Sequence, residues 1–181
     1  GTAVRNNAGN LPAPETGQIW FDSTNIDFKY QAPNKTSAAS WSTAASMNTA
    51  RAYNFATAGN KTAALNFGGN EPPGAVTGKT ESYNGGTWTE TGDLNDSRGE
   101  IAGTGTYTAA LVISGSSGPG ATIYTNVEQW NGSAWTEIAD VNTSRGAAAS
   151  SGTISSAALF GGATPMDPVT SKNLTEEWNG S

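Results

Sequence analysis

Apolar and polar residues alternate in short bursts along this chain, and no stretch holds a helical period convincingly. The apolar runs "AALNFGG" from Ala63, "AALVISG" from Ala109 and "AALFGG" from Ala157 have strand length and close on Gly68-Gly69, Ser114-Gly115 and Gly161-Gly162. Runs that short, bounded by turn formers, read as buried strands. Downstream, "ESYNGGTWTE" from Glu81 and "EQWNGSAWTE" from Glu128 set an aromatic and a Trp on either side of an Asn-Gly pair. Asn-Gly supplies the positive φ values of a tight hairpin. Tyr83 and Trp88, and likewise Trp130 and Trp135, are therefore expected to meet across adjacent strands. The first unit reads as four strands over roughly 52–58, 63–67, 78–83 and 87–91.

The units recur on a fixed pitch. Trp41, Trp88 and Trp135 are spaced by 47 residues, as are Met47, Leu94 and Val141, Asn48, Asn95 and Asn142, and Arg51, Arg98 and Arg145. A further copy begins as "EEWNGS" at Glu176, with Trp178 as its aromatic. A four-stranded unit cannot bury both faces alone, and identical stacking on neighbours requires such a pitch. Units are expected over about 51–91, 98–138 and 145–181, the last lacking its fourth strand, after an outer strand "SWSTAAS" from Ser40.

These residues resemble the kelch repeat, with its Gly pair after the second strand and its later aromatic and Trp. Gly69, Gly115 and Gly162 hold the second Gly, Tyr83, Trp130 and Trp178 the aromatic, and Trp88 and Trp135 the Trp. The middle unit departs by carrying Ser114 for the first Gly, and Trp replaces Tyr in the second and third units. The resemblance covers about 41–181 and implies an all-β chain of four-stranded antiparallel blades forming an incomplete β-propeller. Propellers close with about 4–8 blades. The natural chain is therefore expected either to continue past Ser181, with a Trp near position 182, or to pool its blades with other chains. Either way a further strand is expected beside 174–178.

Residues 1–40 stand apart from the repeats. "GNLPAPETG" from Gly9 is punctuated for extended structure, and "QIWFDSTNIDFKYQ" from Gln18 reads as two aromatic strands about a Ser23-Thr24-Asn25 turn. An isolated hairpin is marginally stable, so Trp20, Phe21, Phe28 and Tyr30 are expected to pack on a partner chain or on the first blade. Such hairpins ahead of kelch-like repeats resemble the attachment ends of structural and fibre proteins of bacterial viruses. That resemblance implies a virion or extracellular surface location, with other virion or surface chains, copies of this one included, as partners.

Composition narrows the chemistry. The net charge is −6 with nine unclustered Lys and Arg, which gives no basic stripe for nucleic acid. Cys and His are both absent, removing thiolate chemistry, the usual neutral-pH base and the commonest transition-metal ligand. No apolar run approaches the roughly 18 residues of a membrane-spanning helix, so no membrane insertion is expected. The chain opens on Gly1 instead of Met, as a processed or partial product would.

Arg51, Arg98 and Arg145 have two readings: a ring gripping anionic sugars or carboxylates, or one Arg per unit pairing with Glu81, Glu128 or Glu176 to hold register. Recurrence in every unit suits the second. Asp93 with Asp96, or Glu176 with Glu177, offers paired acids of the kind glycosidases use, yet acidic turn residues ordinarily serve nearby backbone N–H groups. No stretch has the ligand series of a calcium loop, and the Asn-x-Ser/Thr triplets at Asn34, Asn60, Asn131 and Asn142 mostly mark turns. No catalytic residue, metal or cofactor is expected. The connections after the Gly pairs, at 70–79, 116–126 and 163–173, differ between units and should emerge on the same face as the Arg-bearing turns. They form either a recognition surface, with Lys79, Tyr124, Met166 and Lys172 as contacts, or loops that vary without consequence.

The sequence thus points to a non-enzymatic structural or adhesive protein. In its first form it is a bacteriophage component, a tail or head fibre or appendage, that presents its propeller for assembly or for a host-surface glycan. The alternative is an extracellular bacterial adhesin, or a carbohydrate-binding propeller module of a larger secreted protein. An intracellular kelch adaptor ranks third, since no oligomerisation domain accompanies the repeats.

Overall fold

The computed structural model describes residues 5–8, 18–30, 40–52, 55–118, 122–164 and 170–181, and among these there is no helix. The chain divides into two compact units, Gly1–Thr43 and Ala44–Ser181. Trp41 thereby falls in the first, slightly past the boundary expected at residue 40.

In the smaller unit β1 (Arg5–Asn7) pairs in parallel with β2 (Ile19–Asp22), which turns back antiparallel onto β3 (Asp27–Tyr30). The turn forms because the buried Asp22 carboxylate accepts the Thr24 and Asn25 amides at 3.0 and 3.3 Å and the Asn25 side chain at 2.7 Å. Of the four aromatics expected to be packed, Trp20 is buried. Phe21 is half-buried, edge-on to Phe28 at 5.2 Å, while Phe28 and Tyr30 are exposed. The reason lies in the pleat, since Phe28 and Tyr30 share one side of β3.

The larger unit holds three repeats. The first comprises β4 (Ala56–Asn60), β5 (Ala63–Phe67), a short ribbon of β6 (Asn70–Glu71) and β7 (Ala75–Val76), then β8 (Thr80–Tyr83) and β9 (Trp88–Thr91). Its sheet runs β4-β5-β8-β9. The second follows the same order with β10 (Ala102–Thr106), β11 (Ala109–Ile113), β12 (Val127–Trp130) and β13 (Trp135–Ile138). The third has β14 (Ala149–Thr153), β15 (Ser156–Phe160), a ribbon of β16 (Ala163–Thr164) and β17 (Thr170–Ser171), and β18 (Thr175–Trp178), in the order β14-β15-β18. All neighbouring strands in these repeats are antiparallel.

Two local expectations shift. The first strand occupies 56–60, not 52–58, because Asn60 makes the turn: its side-chain oxygen accepts the Thr62 and Ala63 amides at 2.9 and 3.2 Å. Ala52 instead bridges to Asn70. The Asn-Gly hairpins also work differently from a pair of positive-φ residues. Only Gly85 and Gly132 turn to positive φ, at 93° and 101°, while Asn84 and Asn131 act through their side chains, each accepting two amides across the turn. Both turns bring the aromatic onto the Trp: Tyr83 stacks on Trp88 with centroids 4.9 Å apart, and Trp130 meets Trp135 at 5.4 Å.

The core lies between repeats and not within them. Alternation along β11 sends Ala110 and Val112 toward Leu65 and Phe67 of the first repeat, and Leu111 and Ile113 toward Ala157 and Leu159 of the third. The middle sheet is thus covered on both faces, and each large side chain buried there contributes about 1.5–3 kcal/mol. The first strands of the three repeats lie side by side, tied at one point by the Thr104 hydroxyl donating to the Gly152 carbonyl at 2.8 Å. At Gly103 the approach is so close that a Cβ would stand 2.6 Å from the Ala56 methyl and 2.7 Å from the Phe67 ring.

The repeat Trp residues separate by what stands on either side. Trp135 is buried between Trp130 and Phe67, whose ring lies 4.8 Å away, and its indole N–H donates to Thr80 at 3.0 Å. Trp88, expected to be as deep, is only half-buried, and so is Trp178. Trp41 is fully exposed, and residues 40–47 form no strand. Trp135 has Phe67 of the preceding repeat against it, a neighbour for which Trp88 has no counterpart among the described residues.

Candidate functional site

One side-chain constellation recurs in every repeat. Arg51 meets Glu81 at 3.0 Å, Arg145 meets Glu176 at 2.9 Å, and Arg98 forms the same pair with Glu128. All three guanidinium side chains are fully buried. The other guanidinium arm caps carbonyls at the ends of the second and third strands: Gly68 and Lys79 for Arg51, Ser114 and Asn126 for Arg98. The carboxylate in turn grips the linker that enters the repeat. Glu128 accepts the Asn95 backbone and side-chain N–H groups, both at 2.8 Å, and the Asp96 amide. Glu81 does so with Asn48 and Thr49, and Glu176 with Asn142 and Thr143. With its guanidiniums turned inward, the set is a latch that fixes each linker to the sheet it starts, and it presents no ring of cations to solvent.

Burial acts to raise the Glu81 carboxyl pKa, but the Asn48 amide, the Arg51 guanidinium and the Thr49 amide together outweigh it and hold the group below its ordinary value. A carboxyl depressed in the folded state contributes stability that is complete above its unfolded pKa of about 4.3 and is lost as pH falls through the folded value. The melting temperature is therefore expected to drop as pH is lowered from 5 toward 3, and Glu81→Gln should flatten part of that slope. Equal slopes in the two proteins, measured by circular dichroism, would show that Glu81 plays no part in it.

The loop edge lies beside the latches. Backbone bonds join the connection of one repeat to the Arg-bearing turn of the next: Gly69 donates to Arg98 and Arg98 to Thr77, and Gly115 donates to Arg145. Ser114 fills the place of the first Gly with φ 58°, and its hydroxyl bridges the Tyr124 and Arg145 carbonyls, a use glycine cannot supply.

The four residues singled out as ligand contacts have different fates. Lys79 pairs with Glu71 at 3.1 Å, and the Glu71 carboxyl is held below its usual range, first by the Thr77 hydroxyl and then by this ammonium. The Tyr124 ring lies under the Arg98 guanidinium at 5.5 Å and so helps to cover the latch. Lys172 is half-buried, its amide donating to Gly162. Met166 lies outside the described residues.

Sequence inspection missed that two of these share one position. Thr77, Tyr124 and Lys172 each donate their backbone N–H to the second Gly of their own repeat, at 2.9, 2.8 and 2.8 Å. One backbone place, fixed identically three times, carries a hydroxyl, a phenol and an ammonium. Counting back from Glu81, Glu128 and Glu176 would have aligned them, since each stands four residues before its Glu. Among the described residues no group of His, Cys, Asp and Glu is arranged to hold a metal.

Fold and site together define an all-β protein of repeated antiparallel sheets, latched by buried Arg–Glu pairs. No protein-family model matches the sequence, and no curated protein matches it. Among solved structures, that of YjhT superposes with a TM-score of 0.59 at 13% identity, over 88% of this chain and 47% of that one. The likeness is one of fold, and this chain spans about half the length of that structure.

Proposed function

We propose that this chain is a non-enzymatic structural or adhesive protein built on kelch-like propeller blades, a bacteriophage virion component that presents its loop edge to a host-surface glycan. The observation that carries this reading is the contrast between latch and loop. Arg, Glu and Asn repeat without change inside, while the fixed backbone place beside them carries Thr77, Tyr124 and Lys172. A scaffold held constant under a variable polar and aromatic edge suits recognition, because loops change without disturbing the sheets that position them. The fold likeness to a longer structure and the aromatic hairpin over Ile19–Tyr30 add support for blades joined to an attachment module.

The test combines binding and location. The purified chain should bind a subset of bacterial surface polysaccharides on an array, and Tyr124→Ala with Lys172→Ala should abolish binding while the protein stays folded. Antibodies to the chain should decorate phage particles in negative stain. Labelling of bacterial envelopes instead would move the protein to the adhesin alternative. Absence of both glycan binding and labelling would overturn the proposal.

A further inference from the structure

We infer that β3 of the smaller unit pairs with β3 of a second copy of this chain, antiparallel and centred on Phe28, so that two three-stranded sheets join into one of six strands. The loop edge and its proposed glycan play no part in this contact.

β3 is an edge strand. Its sheet runs β1-β2-β3, and among the described residues no strand or bridge lies beyond β3. The outward backbone N–H and C=O groups of such a strand are a template for another chain, and natural edges are blunted with proline, with bulges or with charges that repel a copy. Asp27-Phe28-Lys29-Tyr30 holds no proline, and its ladder with β2 is regular over all four residues. Its one acid and one base stand where they attract a copy instead of repelling it.

Register shows this. With the pair centred on Phe28, Asp27 of each copy lies opposite Lys29 of the other, and Phe28 lies opposite Phe28. Centring on Asp27 or on Lys29 sets that charge against itself. A centre between residues 27 and 28, or between 28 and 29, puts the Phe28 ring opposite a charged side chain. Opposite charges and aromatic pairs directly across a ladder are favourable and like charges unfavourable, so one register is selected. Asp27 gains most from it. Within its own chain it stands opposite Asp22, with Lys29 at 3.1 Å as its counter-ion.

The exposed apolar residues fall into the same contact. Phe21 is directly opposite Phe28 with the rings 5.2 Å apart, so the joined sheet carries a row of four phenylalanines across its central strands. Tyr30 meets Ile26 of the second copy in this register. Ile26, Phe28 and Tyr30 are 82%, 65% and 57% exposed in the single chain. The two exposed rings offer roughly 250 Å² per copy. That places the contact among weak, reversible interfaces, below about 1,200 Å² in total. The pairing is isologous and closes on itself, so it gives a dimer and no larger assembly.

Sedimentation equilibrium of the full chain across the micromolar range should show twice the 18.5 kDa chain mass, falling to the chain mass on dilution. Two single variants test the charges. Asp27→Lys leaves two bases in the strand and Lys29→Asp two acids, so each alone should dimerise roughly thirtyfold more weakly. Mixed, the two variants should pair with each other about as well as the parent pairs with itself, because opposite charges again face across the axis. Both side chains are partly exposed, 59% for Asp27 and 34% for Lys29, so neither change opens the core. The protein has no cysteine, so Phe28→Cys sets a single thiol from each copy at the two-fold axis. On mild oxidation it should yield a covalent dimer, whereas Thr24→Cys, in the exposed turn, should stay monomeric. A monomer at every concentration, a trimer, a dimer indifferent to both charge changes, or two variants that fail to pair when mixed would each overturn the pairing.

Discussion

Arg98→Ala is expected to remove a large share of the chain's stability, moving its urea midpoint far below that of the parent protein. It strips the counter-ion from Glu128, whose carboxylate has no exposed surface, and frees the Ser114 and Asn126 carbonyls that the guanidinium caps. Breaking a buried pair by removing one partner costs about 3–5 kcal/mol, against a total stability of about 5–15 kcal/mol for a natural domain. Urea unfolding followed by Trp fluorescence measures the loss directly. Arg145→Ala should cost less, because the Glu176 side chain keeps 15% of its surface and water can reach it. Equal and small losses at both positions would mean that the latches do not carry the fold. A further check is Arg98→Met with Glu128→Leu, which removes both charges together and should recover much of the stability, since the penalty lies in the orphaned ion.

The second large effect is expected at Trp135. Its ring fills the space between Phe67 and Trp130 and its indole N–H ties it to Thr80, so Trp135→Ala opens a cavity between two repeats. Truncating a buried aromatic costs about 3–5 kcal/mol. Trp88→Ala should cost clearly less, because its ring is half-buried. The comparison is informative since the two residues share a repeat position and a cross-strand aromatic partner and differ mainly in having a sheet beyond them. Matching shifts in the urea midpoint would count against cores that lie between the repeats.

Much of this architecture was legible in the sequence because repetition reveals it. The 47-residue spacing of Trp, Asn and Arg marks the repeats, and the recurring Glu names the partner that the buried Arg requires. The second and fourth strands of the first repeat lie where the apolar run and the Trp place them. Strand ends and side-chain depth were harder to read. Whether Asn60 ends a strand or begins a turn depends on which amides its side chain finds. Trp88 and Trp135 are indistinguishable in local sequence, and their different burial is set by a neighbouring sheet. The loop edge was harder still, because Tyr124 serves both as a covering ring for Arg98 and as the holder of a variable position. The four-residue spacing from Glu128 marks the position in the sequence, and the backbone bond to Gly115 shows that it is fixed.

Every latch draws on two pieces alone, a linker and the sheet that follows it: Asn48 with Glu81, Asn95 with Glu128, Asn142 with Glu176. No repeat therefore encodes how many others there are. A gene segment of 47 codons copied in frame at any point of the period delivers a complete linker, a complete sheet and both halves of the latch, with every Arg still facing its Glu. Adding or removing whole repeats would therefore leave the latch of every other repeat intact.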